Sequence, residues 1–410
     1  MADIEALVER VHAGELRLHE LENAADGDAD LAAEARRQAV TEEASTVSPD
    51  ELDAIGRYGF PAERADANIE NMIGAIQVPI GVAGPVTIDG GAITGESYLP
   101  MATTEGALVA SINRGCSSIN AAGGATARVT KRGMTRAPAF KVSGVAEAEA
   151  LVEWVRGHEA ALAEAAETTT SHGELLDVTP YAVGNTVFLR FRYDTKDAMG
   201  MNMATIATGE AADLVESETA ASLVALSGNL CTDKKPAAIN ATEGRGRSVA
   251  ADVTIPHDVV ENRLDTTPAA VAEINTKKNH IGAAKAGALG FNAQVANVVG
   301  SMFLATGQDE AQVVEGANAI TTAEVTSEGD LYCSVSLASL EVGTVGGGTS
   351  LPSQSEALSL LGVGGGGNPA GSNADALAEA IAVGSLAGEL SLLAALGSRN
   401  LTSAHADLGR

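Results

Sequence analysis

The sequence predicts an α+β protein in which a small α+β domain is inserted into a larger, helix-rich domain. A chain of 410 residues is long enough for two or three domains of about 150 residues each. With 45% hydrophobic and 20% charged residues, its composition is that of a folded protein rather than a disordered one. The third observation is an alternation of strand-like and helix-like segments between residues 137 and 226.

The predicted large domain comprises residues 51–136 and 227–410, preceded by a helical segment over residues 1–50. The helical segment is predicted because its apolar residues fall on one helix face and acidic residues cover the rest. Residues 68–100 are short apolar runs separated by Gly and Pro, which is typical of strands and turns. A helix with a threonine N-cap is predicted over residues 104–119.

The predicted inserted domain covers residues 137–226. It begins with a strand-like run over 139–145, followed by a helix over 146–166. A second strand has alternating apolar residues at 187–191, and another helix is predicted over 210–226. This order is that of a ferredoxin-like domain if further strands are present. No GxGxxG motif follows a predicted strand, so a Rossmann fold is not expected.

Charge and cysteine content exclude several classes of function. The chain carries 54 acidic and 26 basic residues, a net charge of −28, which argues against binding nucleic acid or an anionic membrane surface. The most apolar long run, residues 376–396, is interrupted by Glu379 and Glu389, so no membrane span is expected. The N-terminus lacks a secretory signal, and the three cysteines lack CxxC spacing. We therefore expect a cytoplasmic protein with no metal site.

The acid excess has two explanations. It is either a surface for a basic partner or an adaptation of the whole protein to high salt, where screening makes dense carboxylates tolerable. The even spread of the acids along the chain favours the second. Only 8 of the basic residues are lysines, and two adjacent pairs, Lys234-Lys235 and Lys277-Lys278, supply half of them. In such a chain a paired lysine is a candidate for chemistry.

The loop from Ser227 to Pro236 is the strongest candidate site. Two lysines beside Asp233 in a polar loop suit the binding of an oxyanion or a carboxylate. An ordinary solvated turn would more often use Gly, Ser or Asn, and the residues alone leave both interpretations open.

Three further residues carry possible chemistry. Glu105 stands among small and apolar residues, where it is either a proton carrier or a first-turn residue facing a helix dipole. Asp309 follows a predicted helix and is either a partner for a lysine or a surface residue. His405 lies near the C-terminus, as part of a frayed tail or of a lid that delivers a proton. The glycine-rich runs 343–349 and 362–367 are either turns or places where backbone approaches a ligand.

The order of these motifs resembles the 3-hydroxy-3-methylglutaryl-coenzyme A (HMG-CoA) reductase family. The resemblance runs from about residue 50 to the C-terminus and looks like the class I type of a halophilic archaeon. The matching blocks are ENMIG (70–74), PIGVAGP (79–85), PMATTEGALVAS (100–111), NRGC (113–116), GMTR (133–136), DAMGMNMAT (197–205), SGNLCTDKKPAAIN (227–240), EGRG (243–246), NA (292–293), AN (296–297), GQD (307–309) and GTVGGGT (343–349).

The resemblance implies reduction of HMG-CoA to mevalonate and coenzyme A by two NADPH. It implies that Lys234 stabilises the developing oxyanion and that Glu105 donates a proton. It further implies that Asp309 hydrogen-bonds and tunes the lysine–glutamate pair, and that His405 protonates the departing thiolate. This is chemically coherent, because hydride addition to a carbonyl creates negative charge that a fixed ammonium stabilises.

The resemblance also implies binding residues. The HMG carboxylate would meet Arg136, Ser227, Asp233, Lys235 and Lys278, with Asn297 near the thioester and Ser111, Asn113 and Arg114 along coenzyme A. NADPH would contact Asp197, Ala198, Met199, Gly200, Met201, Asn202 and Met203 in the inserted domain, together with Ser171 and Arg410.

The chain departs from the family pattern at several positions. His257-Asp258 stand where relatives have a basic coenzyme A contact, and His172 replaces the usual basic residue for the 2′-phosphate. Ala404 replaces a serine before the histidine, and no regulatory serine follows it. The resemblance implies a homodimer with shared active sites, with dimers of dimers as a further option. Two alternatives are a degradative NAD-dependent member of the family and a non-catalytic coenzyme A-binding protein.

Overall fold

The computed structural model describes residues 3–44, 52–170 and 173–398 as a mixed structure of helices and one large, mostly antiparallel sheet. The helices are α1 (Ile4–His12), α2 (Leu21–Ala24), α3 (Ala29–Ala44), α4 (Asp53–Gly56), α5 (Leu108–Ala121), α6 (Val145–Gly157), α7 (Glu159–Glu167), α8 (Met201–Glu218), α9 (Ala238–Glu243), α10 (His257–Leu264), α11 (Pro268–Ile274), α12 (Ala283–Ala286), α13 (Val295–Thr306), α14 (Val313–Gly316), α15 (Pro352–Leu360) and α16 (Ser372–Gly397). The strands are β1 (Ile80–Gly90), β2 (Thr94–Ala102), β3 (Ala125–Arg136), β4 (Ala139–Lys141), β5 (Glu174–Val183), β6 (Thr186–Asp194), β7 (Ser222–Ala225), β8 (Arg245–Ile255), β9 (Ala319–Val325) and β10 (Leu331–Leu340).

The chain divides into two compact units, one of residues 1–79 with 350–355 and one of residues 80–349 with 356–410. In the first unit, α1, α2 and α3 pack around a small apolar core. Residues 3–44 are largely helical, as predicted. The second unit contains every strand of the sheet and every described candidate site residue. The domain boundaries proposed from the sequence stay a prediction.

The sheet runs in the order β7-β4-β6-β3-β8-β10-β9. At its sides β5 pairs with β6, and β1 pairs with β2 and, in parallel, with β3. The mixed α and β content agrees with the predicted fold class. The largest apolar cluster lies between this sheet and the helices α5, α13 and α16.

Residues 139–225 have the element order β4-α6-α7-β5-β6-α8-β7 and the strand order β7-β4-β6-β5. They have an apolar cluster of their own, in which Val187, Leu189 and Phe191 of β6 are fully buried. The alternation that predicted this strand is therefore confirmed.

The predicted helix over 210–226 is wrong at both ends. Helix α8 begins nine residues earlier, at Met201, and ends at Glu218, while Ser222–Ala225 form β7. Its buried face consists largely of alanines, such as Ala204 and Ala211. Small residues give a weak hydrophobic period, so the sequence pattern did not mark the first turns.

The predicted helix over 104–119 also begins later than expected. Helix α5 starts at Leu108, and Ala107 before it has a left-handed backbone with φ 68°. The Thr103 hydroxyl caps a turn instead, because it accepts a hydrogen bond from the backbone N–H of Glu105 at 2.9 Å. Glu105 therefore precedes the helix rather than lying in its first turn.

Helix α16 is the central helix of the second unit. Among the described residues it alone is long and apolar enough to cross a membrane by length and composition, and 78% of that apolar stretch is buried within the fold. Such burial is that of a core helix, in agreement with the sequence-based exclusion of a membrane span.

Three buried carboxylates of α16 each hold a different segment of the same unit. They explain why a buried helix carries the acidic residues that the sequence showed, since a buried carboxylate must be paired or hydrogen-bonded. The partners are the guanidinium groups of Arg132 and Arg247 for Asp375, the backbone N–H groups of residues 91–93 for Glu379, and those of Ala293 and Gln294 for Glu389.

Candidate active site

Lys234 lies in the polar loop between β7 and α9. Its backbone has a left-handed φ of 60°, and Asn229 and Thr232 of the same loop are also left-handed. Such conformations cost about 1 kcal/mol or more each in a non-glycine residue and persist only where the surroundings enforce them. Here the buried Asn240 binds Thr232 through side chain and backbone, and a carboxylate oxygen of Glu315 accepts the Lys234 N–H at 2.6 Å.

The Lys234 ammonium pairs with Asp309, with 2.9 Å between Nζ and Oδ2. Asp309 begins a 3₁₀ turn after α13, where its other oxygen accepts the Ala311 N–H at 3.1 Å. The hydrogen bond that Lys234 donates to Asp309 raises the pKa of Lys234 above its ordinary value. The ammonium is therefore charged at neutral pH and partly exposed, so it can donate to an added oxygen.

Glu105 is exposed in the turn before α5. Its Oε1 accepts a hydrogen bond from Asn297 Nδ2 of α13 at 3.4 Å. The structure thus brings together two predicted site residues that are 192 positions apart. Among the described residues, no hydrogen bond or ion pair joins Glu105 to Lys234.

The residues predicted to bind a carboxylate surround the same loop. Arg136 is buried, and it donates to Ser227 Oγ at 3.0 Å and to Thr205 Oγ1 at 2.6 Å. Lys235 Nζ donates to the backbone oxygen of Asp233, at 2.9 Å. Lys235 thus lies on the loop that carries Lys234, and Arg136, at the end of β3, contacts that loop through Ser227.

Lys278 lies apart, on an eight-residue π-helical segment over 275–282. Its side chain is exposed, while the buried Asn275 and Asn279 anchor the segment. Asn279 Nδ2 donates to Asn275 Oδ1 at 2.8 Å and to Glu389 Oε2 of α16 at 3.4 Å. Segments of π-helix are rare and occur frequently at functional sites.

The three residues predicted along coenzyme A point in two directions. Ser111 and Arg114 of α5 both donate to Ser391 of α16, so their side chains are tied inward. Asn113 accepts the Gly84 N–H at 2.7 Å and lines an open cavity of about 530 Å³.

Arg263 is a candidate that the sequence reasoning missed. It stands in the last turn of α10, lines the same cavity as Asn113, and donates to Ser117 Oγ at 2.6 Å. The family pattern has its basic coenzyme A contact at the position of His257-Asp258, at the start of α10, and the expected basic residue is absent there. The signal that could have identified this contact was Arg263 itself, an arginine six residues after His257.

Asp197 opens the predicted cofactor block, but its carboxylate is fully occupied. Its two oxygens accept four backbone N–H groups at the N-terminus of α16, so the side chain has a structural role that the sequence did not predict. The donors are Gly367 (2.9 Å), Gly371 (2.7 Å), Asn373 (3.0 Å) and Ala374 (3.1 Å).

The rest of the block leads into α8. Ala198, Met199, Gly200, Met201 and Met203 are half-buried, and Asn202 is exposed. The N-cap residue of α8 is Gly200, which has no side chain to cap the helix, and the first backbone N–H groups of a helix are suited to an anion.

Gly343 connects the predicted cofactor-binding block to the Lys234–Asp309 ion pair. The amide of Gln308, the residue before Asp309, bonds both the N–H and the carbonyl of Gly343, at 2.9 and 3.0 Å. A Cβ at Gly343 would collide with the backbone nitrogen of Met199. Gly343 therefore permits a close approach of the two backbone segments. The second glycine-rich run, Gly364 to Gly367, lies in the loop before α16, and Asp197 binds this loop through the Gly367 N–H.

Ser171, His405 and Arg410 lie outside the described residues. Within residues 3–44, 52–170 and 173–398, no group of three or more His, Cys, Asp or Glu side chains could hold a metal ion.

Comparisons with known proteins place the chain in one family. Residues 32–410 match the family model for hydroxymethylglutaryl-coenzyme A reductase. The chain is 74% identical over 410 residues to the 3-hydroxy-3-methylglutaryl-coenzyme A reductase of Haloferax volcanii, covering 100% of both chains. It is 67% identical to that of Halobacterium salinarum, covering 100% of this chain and 99% of the relative. These relatives support the predicted halophilic archaeal source.

The fold has a counterpart among solved structures. The class II 3-hydroxy-3-methylglutaryl-CoA reductase of Streptococcus pneumoniae, bound to NADPH in open conformations, matches with a TM-score of 0.66 at 21% identity. The match covers 88% of this chain and 96% of that one. On the family match and on identity along its full length, the chain belongs to the hydroxymethylglutaryl-coenzyme A reductase family.

Proposed function

We propose that this protein reduces HMG-CoA to mevalonate and coenzyme A with two NADPH, a step of isoprenoid synthesis. The observation that carries the proposal is the Lys234–Asp309 pair at 2.9 Å, linked through Gln308 to the glycine loop beside the cofactor block. The names of the relatives at 74% and 67% identity support it.

In this proposal Lys234 binds the carbonyl oxygen of the thioester and then that of the aldehyde intermediate. Bound NADPH would supply the hydride to the carbonyl carbon, and negative charge would then develop on the oxygen that Lys234 holds. A preorganised ammonium within hydrogen-bond distance is the largest single source of stabilisation for such charge. Asp309 keeps the ammonium charged and fixes its direction, and the left-handed backbone of Lys234 presents it from the loop.

Proton transfer is assigned to Glu105 and His405. Glu105 is exposed and oriented by Asn297, so it can deliver a proton to the oxygen that Lys234 binds. His405 protonates the coenzyme A thiolate, which would otherwise add back to the aldehyde. We assign Glu105 to a site completed by a second subunit, since family members are homodimers with shared active sites.

Substrate binding is assigned to the surroundings of the lysine loop and of α5. The HMG carboxylate is bound by Arg136, Ser227, Asp233, Lys235 and Lys278, and Asn297 lies near the thioester. Coenzyme A runs along Ser111, Asn113 and Arg114, and Arg263 supplies the cationic contact that His257-Asp258 lack.

NADPH is assigned to Asp197–Met203, with Ser171 and Arg410. The uncapped N-terminus of α8 fits a pyrophosphate, and Asp197 acts by holding the segment rather than by touching the cofactor. We propose that residues 137–226 are a ferredoxin-like inserted domain and not a Rossmann fold. The βαββαβ order of residues 139–225 supports this.

We further propose a cytoplasmic enzyme of the class I type. The class II structure that shares its fold is only 21% identical, so that likeness bears on the fold alone.

The proposal is tested by following NADPH oxidation with HMG-CoA for the wild type, Lys234→Ala and the exposed control Lys285→Ala. We expect kcat of Lys234→Ala to fall by about 1,000-fold or more, because the oxyanion loses its cation, while Lys285→Ala turns over normally. Normal turnover by Lys234→Ala would refute the assignment.

The same assay separates the alternatives. A degradative member of the family would turn over with NADH in preference to NADPH. A non-catalytic coenzyme A-binding protein would oxidise neither, and Lys234→Ala would leave its behaviour unchanged.

A further inference from the structure

A buried cluster of one arginine and three carboxylates adjoins Lys234. Its centre is Arg245 at the start of β8, whose side chain has no exposure to solvent. The guanidinium contacts Asp233 Oδ1 at 3.0 Å, Glu315 Oε1 at 3.3 Å, Glu341 Oε1 at 3.4 Å and Thr135 Oγ1 at 3.2 Å.

The cluster is bonded to the catalytic loop at two adjacent residues, through the backbone of Lys234 and the side chain of Asp233. Glu315 Oε1 accepts the N–H of Lys234 at 2.6 Å, and Asp233 is held by Arg245 and by Gln312, whose Nε2 lies 3.2 Å from Oδ1. The left-handed conformation of Lys234 therefore depends on an anionic acceptor fixed by Arg245. Asp309 orients the tip of the lysine, and Glu315 orients its backbone.

The charges in the cluster do not balance if every carboxyl is ionised. Glu315 and Glu341 are both fully buried and share one guanidinium nitrogen, Nη1 of Arg245. The second oxygen of each, Oε2, has no hydrogen-bond partner within the part of the chain that the structure describes. Two carboxylates that share one cation in a buried site favour holding one proton between them.

The Glu341 carboxyl is the better place for that proton. Glu315 accepts two side-chain hydrogen bonds through Oε1, from the Lys234 N–H and from Arg245, whereas the bond from Arg245 to Glu341 is the longer of the two that Nη1 makes. The charged groups that face this pair are Arg245, Asp233 and Lys234. Burial raises the pKa of Glu341 to about 8, with the charge of Glu315 adding to the rise and Arg245 opposing it.

We propose that Arg245, Glu315 and Glu341 are positioning residues for Lys234, with Glu315 holding the lysine backbone as an anion and Glu341 acting as its neutral, protonated neighbour. This rests on the proposed reduction, in which Lys234 binds the reacting oxygen. Above the pKa of Glu341 the second negative charge competes for Arg245 and loosens Glu315. Turnover is then supported below about pH 8 and lost above it.

The first test replaces Glu315 by Gln, which keeps its shape but removes the charge. We expect kcat to fall about 10- to 100-fold, since small displacements of a catalytic group have effects of this size, with less change in KM for NADPH. Glu315→Asp, which keeps the charge on a shorter side chain, is expected to recover part of the loss. A wild-type kcat in Glu315→Gln would overturn the inference.

The second test replaces Glu341 by Gln, a permanent mimic of the protonated acid. We expect the alkaline decline in kcat, measured relative to the variant's own value at pH 7, to disappear or to move up by about one pH unit. The exposed Glu356→Gln is the control and keeps the wild-type profile. An unchanged alkaline decline in Glu341→Gln would contradict the shared proton.

A third measurement does not depend on the reaction. An acid whose pKa is raised in the folded state binds its proton more tightly there than in the unfolded chain, so stability falls as pH rises toward the folded pKa. The Tm of the wild type should therefore decline from pH 6 to 8 more than that of Glu341→Gln. If the wild type shows no NADPH oxidation, the proposed function fails while the Tm comparison still tests the cluster. Equal declines in Tm would overturn the shared proton.

Discussion

Asp197 allows a sharp test of a side chain that the sequence assigns to cofactor binding and the structure assigns to folding. Its two carboxylate oxygens accept four backbone N–H groups at 2.7–3.1 Å, at the start of the buried helix α16. In Asp197→Asn one oxygen becomes an NH₂ group that faces two N–H donors. The variant thus replaces two hydrogen bonds with donor–donor contacts.

The expected loss follows from those two N–H groups. A buried donor left without its acceptor costs about 1–3 kcal/mol, so two cost roughly 2–6 kcal/mol. Loss of a negative charge at the N-terminus of a helix adds about 0.3–1 kcal/mol. Against a typical free energy of unfolding of about 5–15 kcal/mol, this is a large fraction.

The assay is denaturant unfolding at constant high KCl, with the midpoint and slope measured for Asp197→Asn and for the exposed control Asp213→Asn. We expect a lower midpoint for Asp197→Asn alone, and a KM for NADPH close to that of the wild type under conditions where the variant is folded. An unchanged midpoint together with a KM for NADPH raised tenfold or more would refute the structural role, because the carboxylate would then act on the cofactor directly.

Two further predictions concern Arg263 and salt. Arg263→Ala should raise KM for HMG-CoA about three- to tenfold with kcat preserved, since one charge-assisted phosphate contact is lost. Arg156→Ala, on the surface of α6, serves as the control, and an unchanged KM would exclude Arg263 from the coenzyme A site. Activity should also rise with KCl and collapse in dilute buffer, because the net charge of −28 is then unscreened. Full activity in dilute buffer would favour the alternative of a local acidic surface.

The sequence predicted best those features that depend on local periodicity. The alternation at Val187, Leu189 and Phe191 identified β6 correctly, because a strand with one buried face repeats every two residues. The helix boundaries failed where local chemistry overrode the pattern. The Thr103 hydroxyl bonds the N–H of Glu105 and delays α5, and the small residues at the start of α8 hide its first turns.

The sequence identified residues of the candidate site but not the contacts between them. Paired lysines in a lysine-poor chain marked Lys234, yet its partners come from distant positions, Asp309 in the turn after α13 and Glu315 in α14. Periodicity carries no information about contacts between residues that are 75 and 81 positions apart. The same reason explains why Arg245 and Glu341 were not singled out, since their importance lies in burial and in a shared guanidinium.

Helix α16 fixes the relative positions of three surrounding segments through the spacing of its buried acidic residues. At 100° per residue, Asp375, Glu379 and Glu389 fall within a sector of about 80° on the helix surface. An insertion of one residue between Glu379 and Glu389 would swing the last carboxylate away from Ala293 and Gln294, while the first two kept their partners. We therefore expect α16 to tolerate substitution of the apolar residues between these acids far better than an insertion or deletion that changes the spacing of the acids.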